Sequence, residues 1–334
     1  MNIQDIARLT GFSVATVSRA INNKGYVKEE TRAQIFEMVE KHRYVPNAVA
    51  RSLSKNESLS VGVIIPDIEN EFFPKVMRGM FEAAERKGYH ILYLGTNESI
   101  EREHSFLNIV EEQRLSGVII TPVSEEDPVT RERLLRFKEM GIPVVLVDRD
   151  LPGEAIDGVF SDNLGGAYDG VSWLIGKGYR KIAMITGPRT SKPGKERTRG
   201  YLNALGQAGI EARPEYVVQG DFRQGRAYEC TKELLGLPDP PDAIFTANNM
   251  TTLGCLRYLT ERGLRPGSDI EVLSFDPIDA LNAIGYKLPY IGRDAGAIGE
   301  AAMKLLIRKL KKNRSTRGKV ATEKMVLPCR LVTD

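Results

Sequence analysis

Gly11-Phe12-Ser13-Val14-Ala15-Thr16-Val17-Ser18-Arg19-Ala20-Ile21-Asn22 decides how the first sixty residues are read. Gly11 accepts the left-handed conformation that closes a helix. Ser13 carries a hydroxyl able to take a backbone N–H from the first turn of the next one. From Val14 to Asn22 the spacing buries Val17, Ala20 and Ile21 and turns Ala15, Thr16, Ser18, Arg19 and Asn22 outward. Upstream, Ile3, Ile6, Ala7 and Leu9 line one face of a short helix over 3–10. Downstream, Asn22-Asn23-Lys24-Gly25 reads as a loop, and 31–42 as a third helix that closes a small core with Ile35, Met38 and Val39. Two short helices joined by a glycine turn, the second with a polar outer face, form a helix-turn-helix arrangement.

Charge points the same way. Residues 1–60 hold nine lysines and arginines against six aspartates and glutamates, an excess that equals the net +3 of the whole chain, so the other 274 residues are neutral. A basic excess confined to one small module is the electrostatic footprint of a polyanion-binding surface.

Beyond the third helix stands Tyr44-Val45-Pro46-Asn47-Ala48-Val49-Ala50-Arg51-Ser52-Leu53. Pro46 ends what precedes it, and Asn47 to Ser54 is helix-capable but too short to hold alone. This segment, Ile3-Gln4-Asp5-Ile6-Ala7 and Ser13-Val14-Ala15-Thr16-Val17-Ser18-Arg19 together resemble, in order and spacing, the lactose-repressor (LacI/GalR) family of bacterial transcription regulators. The resemblance implies that the second helix enters the major groove, with Val14, Ala15 and Arg19 on base edges. It places Thr16, Ser18, Asn22 and Tyr44 on phosphates, and Asn47, Ala50, Arg51 and Leu53 on the DNA from a hinge helix, Leu53 as a minor-groove wedge.

From Leu59 the text changes. Val61-Gly62-Val63-Ile64-Ile65-Pro66 is a buried-strand run, and strands are then expected at 90–95, 117–122 and 143–148, alternating with helices over 73–88, 100–113 and 128–140. A second series follows the Pro152-Gly153 to Gly158 stretch. It has helices at 165–177, 195–208, 225–235 and 250–262 and strands at 181–186, 216–219, 243–246 and 270–275. The expected fold is a small all-α helix-turn-helix headpiece plus an α/β two-lobed sensor domain, periplasmic-binding-protein-like, with parallel doubly wound sheets. The expected domains are a headpiece over 1–46, a hinge helix and linker over 47–58 and an effector-binding domain over 59–334. Its first lobe would span about 59–157 and 289–320, its second about 158–288 and 321–334.

Ligands of such folds sit at the carboxyl ends of the strands. The polar residues there are Asp67, Asn97, Asp148, Arg149, Asp162, Arg197 and Asp276, with Phe72, Phe73 and Phe222 as aromatic neighbours. A lone Asp after a strand is more often a helix cap than a ligand contact. The family resemblance raises Phe72, Phe73, Arg149, Asp162, Arg197, Phe222 and Asp276 to effector contacts. Arginine and aspartate on opposite walls suit a hydroxyl-rich ligand, and the aromatics its apolar face. One stretch departs from the family: Leu288-Pro289-Tyr290-Ile291-Gly292-Arg293-Asp294 lacks the usual Thr pair and Gln-Pro. The basic stretch from Lys309 to Lys319 reads as a solvated helix end and loop.

Enzyme chemistry has little footing. Gly187 to Lys195 is a failed phosphate loop, since Glu196 follows the lysine, and no Gly-x-Ser-x-Gly elbow occurs. His42, His90 and His104 lack metal spacing, and Cys230, Cys255 and Cys329 lie far apart. No cofactor and no metal are expected. No apolar run approaches the roughly 20 residues of a membrane helix, and the first residues do not read as a secretory signal. The resemblance implies transcription repression, and the chain is expected to be a cytoplasmic homodimer whose partners are double-stranded operator DNA and a sugar-like small molecule. The alternatives are a corepressor-type regulator with a nucleobase-like effector and, in another class, a sugar-binding transport protein.

Overall fold

Asn2 accepts the backbone N–H of Asp5 on its side chain while Asp5 returns the bond to the Asn2 N–H, a reciprocal cap that starts α1 (Ile3–Thr10). Gly11, at φ +73°, ends it. Ser13 then caps α2 (Val14–Ile21) by accepting from Thr16 N at 3.1 Å. The third helix, α3 (Glu29–Lys41), begins two residues earlier than expected; its first residue follows Lys28, which makes no side-chain cap. Ile6, Ala7, Val17, Ala20 and Ile35 form the headpiece core, with Val39 and Tyr44 packed against it; Met38 is half-buried and outside that cluster.

This computed structural model describes residues 1–23, 25–44, 59–315 and 321–333, so the expected hinge over 47–58 lies outside the described residues. The headpiece and the larger body from Ser60 onward are separate units, each taken by itself.

The larger body holds two six-stranded sheets. The first contains β1 (Ser60–Ile65), β2 (His90–Gly95), β3 (Val118–Ile120), β4 (Val144–Val147), β5 (Asp157–Ser161) and β11 (Lys324–Leu327), in the order β11-β5-β4-β3-β1-β2, all neighbours parallel. The second contains β6 (Ile182–Thr186), β7 (Val217–Gln219), β8 (Ala243–Thr246), β9 (Glu271–Phe275), β10 (Tyr290–Arg293) and β12 (Cys329–Val332), ordered β12-β10-β9-β8-β6-β7. Among the described residues of this sheet only β12 runs antiparallel to its neighbour. The inner strands β1, β3, β4, β6 and β8 are almost wholly buried, and read as nearly continuous apolar runs, because helices cover both faces. Those helices are α4 (Phe72–Glu85), α5 (Ile100–Glu112) and α6 (Pro128–Glu139) on the first sheet, and α7 (Asn163–Gly176), α8 (Lys192–Gln207), α9 (Gln224–Leu235) and α10 (Asn249–Glu261) on the second. A short α11 (Asp279–Ala283) precedes β10, and α12 (Ala295–Ser315) returns to pack on α4 in the first lobe. Glycines permit that helix crossing: a Cβ on Gly79 would stand 2.1 Å from the Gly296 carbonyl oxygen, and one on Gly299 1.9 Å from that of Val76.

The lobe boundaries differ from those expected. Asp157–Ser161 belongs to the first sheet, paired with β4 and β11, and Tyr290–Arg293 to the second. The chain therefore crosses after Ser161 and after Arg293, and the terminal residues are shared, β11 going to the first lobe and β12 to the second. Both shifted strands are short, and each pairs on one side with the strand just before it and on the other with β11 or β12, so its own residues carry no mark of the lobe it joins. Lys309 is also not solvated as expected: it is 4% exposed and donates to Asp157 Oδ1 at 2.9 Å and to the Ala321 carbonyl at 2.7 Å. Among the described residues no helix is long and apolar enough to cross a membrane.

Candidate functional site

In the headpiece, packing of Val17 and Ala20 inward leaves Val14, Ala15 and Arg19 exposed on the outer side of α2. Thr16 and Ser18 are half-buried, and Thr16 is tied to the cap by the 2.9 Å contact between its hydroxyl and that of Ser13. Asn22 donates to the Ser18 carbonyl at 2.8 Å, which rigidifies the end of the helix. Tyr44 is half-buried against the headpiece core rather than freely displayed. Asn47, Ala50, Arg51 and Leu53 lie outside the described residues. Tyr26, 86% exposed, is a large side chain on this unit that sequence periodicity did not single out.

In the larger body a cleft of about 390 Å³ opens between the carboxyl ends of the two sheets. That is a size for a small polar molecule. The first lobe contributes Asp67 and Asn70 after β1, Phe72 and Phe73 at the start of α4, Asn97 and Glu98 after β2, and Asp148 and Arg149 after β4. The second contributes Arg197 from α8, Asp221 to Arg226 after β7, Asn248 after β8 and Arg293 at the end of β10. Strain gathers here. Among the described residues nine non-glycine positions have positive φ, and six of them are Asn97, Glu98, Asp148, Asp221, Phe222 and Asp276 at these strand ends. Such conformations cost of order 1–3 kcal/mol each and concentrate where a side chain must be aimed.

The expected effector contacts divide. Phe72, Phe73, Arg149, Arg197 and Phe222 do line the cleft. Asp162 does not: it is exposed and caps α7 by accepting from Gly165 N at 2.9 Å. Its neighbour Asn163 has the role in the site, accepting on Oδ1 from Arg197 Nε at 2.9 Å and from a terminal nitrogen of Arg197 at 2.8 Å. Asp276 is 3% exposed and lies behind the cleft wall, both carboxylate oxygens occupied by Arg293.

Arg293 is the residue sequence reasoning missed. It donates from Nε to Asp276 Oδ1 at 2.7 Å and from a terminal nitrogen to Oδ2 at 2.9 Å. It also reaches Asp148 of the first lobe, while its guanidinium lies over the Phe72 ring, 3.4 Å from the centroid. Burial would raise the Asp148 carboxyl, but the Arg293, Arg197 and Arg149 charges outweigh it and hold that group below the usual range. Burial would equally lower the Arg293 guanidinium, and Asp276 and Asp148 lift it above its ordinary value instead. The available signal was a charged pair, Arg293-Asp294, ending an apolar strand where the family pattern breaks. Arg149 is held differently, forking onto Glu98 at 2.6 and 2.8 Å and donating to the Pro122 and Val123 carbonyls; its Nε is buried without a partner.

Residues 2–47 match the family described as bacterial regulatory proteins, lacI family, and residues 58–332 match periplasmic binding proteins and sugar binding domain of LacI family. The chain belongs to the LacI family. It is a DNA-binding transcription regulator with a helix-turn-helix headpiece and a periplasmic-binding-protein-like body, and the relatives it matches are regulators rather than enzymes. It is 32% identical to catabolite control protein A of Priestia megaterium, over 93% of each chain. It is 29% identical to the HTH-type transcriptional repressor PurR of Mannheimia succiniciproducens, over 92% of this chain and 91% of the relative. Among solved structures it resembles a complex of the transcriptional regulator CelR with cellobiose, at 26% identity and a TM-score of 0.74, covering 100% of this chain and 98% of that one.

Proposed function

We propose that this LacI-family chain is a repressor that binds operator DNA as a homodimer in the cytoplasm and answers to a small sugar-like effector held in the cleft. The observation that carries the reading is the composition of that cleft: three phenylalanines, Phe72, Phe73 and Phe222, beside Asn70, Arg149, Arg197 and Asn248. Aromatic faces for the apolar side of a sugar ring and directional polar groups for its hydroxyls are the pairing such a ligand requires. A relative of similar length is described as a cellobiose complex. On the DNA side, exposed Val14, Ala15 and Arg19 face base edges, with Thr16, Ser18, Asn22 and Tyr44 on phosphates; Asn47, Ala50, Arg51 and Leu53 complete the set.

Dimerisation has its own support. A single short recognition helix reads too few base pairs to select a genomic site. On the body, β2 is an edge strand that leaves Leu92 and Tyr93 more than a third exposed, and Phe81 of α4 is 48% exposed. Unprotected apolar edges of this kind call for a partner.

The test is to select operator DNA from random fragments with the full chain, then titrate it with and without each member of a carbohydrate and nucleobase panel. A carbohydrate that shifts operator affinity supports the reading. A shift produced only by nucleobases, or a protein that selects no sequence at all, contradicts it.

A further inference from the structure

We propose that Arg293 sets the ligand class of the cleft: by taking up the Asp276 carboxylate and standing beside Arg197, it presents paired buried guanidiniums to an oxyanion, so the effector is a sugar bearing a carboxylate or phosphate. This rests on the cleft being the effector site.

The hydrogen-bond inventory leads there. A guanidinium has five N–H donors. Arg293 spends three on Asp276 and Asp148 and keeps two. Arg197, 1% exposed, spends three on neutral acceptors only, two on Asn163 Oδ1 and one on the Ala247 carbonyl, and also keeps two. A buried cation without a carboxylate on it is an unusual arrangement. The two guanidiniums share the Phe275 ring, Arg197 at 3.5 Å and Arg293 at 5.8 Å from its centroid. Burial, with the neighbouring Arg293 charge, pulls Arg197 down to about 10. An oxyanion placed between them relieves that repulsion and fills the open donors with charge-assisted bonds.

The acids of the cleft are arranged to match. Glu98 is consumed by Arg149, and Asp148 and Asp276 by Arg293. A neutral sugar seeking the Asp276 carboxylate as a hydroxyl acceptor finds it 3% exposed behind the cleft wall, with Arg293 already bonded to each oxygen. What remains is Asp67, Glu69 and Asp221, half-buried or exposed along the cleft. The buried wall thus offers donors and the more exposed positions acceptors. A molecule with an oxyanion at one end and hydroxyl donors at the other fits that polarity.

The experiment uses the full chain. Thermal melts are taken in sodium phosphate, sodium acetate and sodium chloride at matched ionic strength. Calorimetric titrations with galacturonate, glucose 6-phosphate and galactose follow. The expected result is a melting temperature about 2–4 °C higher in phosphate or acetate than in chloride, and binding of galacturonate or glucose 6-phosphate about tenfold or more tighter than galactose. Whichever of the two charged sugars wins identifies carboxylate or phosphate. Arg293→Gln should erase most of the charged-over-neutral preference and Arg293→Lys should retain part of it, a contrast that a merely unfolded variant cannot produce. Equal melts in all three salts, galactose bound as tightly as the charged sugars, or an unchanged preference in folded Arg293→Gln would each overturn the assignment. Charged sugars that bind the cleft but leave operator affinity untouched would sustain it while refuting the effector reading beneath it.

Discussion

The guanidinium of Arg293 lies over the ring of Phe72 at 3.4 Å although the two residues come from opposite lobes. The same side chain bridges Asp276 of its own lobe and Asp148 of the other, all three being nearly inaccessible. One residue therefore fastens the inner end of the cleft. Farther out the lobes touch again, where Lys75 pairs with Asp279 at 2.7 Å, Asp279 N donates to Glu71 at 3.0 Å, and Lys195 pairs with Glu125. Those outer pairs are largely exposed at one or both partners and contribute little individually; the inner one is different.

Arg293→Ala should destabilise the chain by about 3–5 kcal/mol, because truncation strands two buried carboxylates rather than deleting a surface contact. Denaturant unfolding of the full chain measures this. A loss under about 1 kcal/mol would mean that water or a rearranged side chain satisfies Asp148 and Asp276.

Acid should undo the same fastening. The Asp148 carboxyl is held low in the folded chain, its burial outweighed by Arg293, Arg197 and Arg149. A depressed carboxyl contributes stability that is present above its unfolded value of about 3.9 and is lost as pH falls through the lower folded value. Unfolding free energy measured from pH 6 downward should thus fall more steeply in the unaltered protein than in Asp148→Asn, the difference arising below about pH 4. Parallel profiles would remove Asp148 from the fastening.

Gly79→Ala should cost about 1–3 kcal/mol by overpacking, since its methyl would meet the Gly296 backbone at the α4–α12 crossing, where backbone must shift. A thermal melt matching the unaltered chain would show that the two helices can part freely.

Arg19→Ala should weaken binding to the selected operator by about 1–3 kcal/mol and relax preference at one base pair per half-site. Anisotropy titrations on operator and on base-substituted variants measure it. An equal loss on every sequence would reassign Arg19 to a phosphate.

The headpiece was legible because its signals are local. Gly11 and Ser13 announce a turn and a cap within three residues, and the structure uses both. The start of α3 was not legible, since Lys28 supplies no cap. In the body, apolar runs such as 61–65 announced buried strands, whereas the lobe that Asp157–Ser161 and Tyr290–Arg293 join is fixed by their pairing between the preceding strand and β11 or β12, which no local pattern records. The site shows the same division. Phe72, Arg149 and Arg197 could be placed from strand ends and family likeness. Asp162 could equally be a cap, and is one. Arg293 could not be found from its neighbours, because its partners Asp276 and Asp148 stand 17 and 145 residues away.

The claim that a charged sugar in the cleft controls DNA binding is tested most directly by operator affinity itself. Full chain is titrated onto the selected operator by anisotropy, with galacturonate or glucose 6-phosphate absent and then saturating, and the sugar is titrated calorimetrically with operator absent and present. The account predicts a shift in operator affinity of about 5–150-fold and the same factor in sugar affinity, because coupling between two sites is reciprocal. Operator affinity unchanged by a sugar that demonstrably occupies the cleft would contradict it.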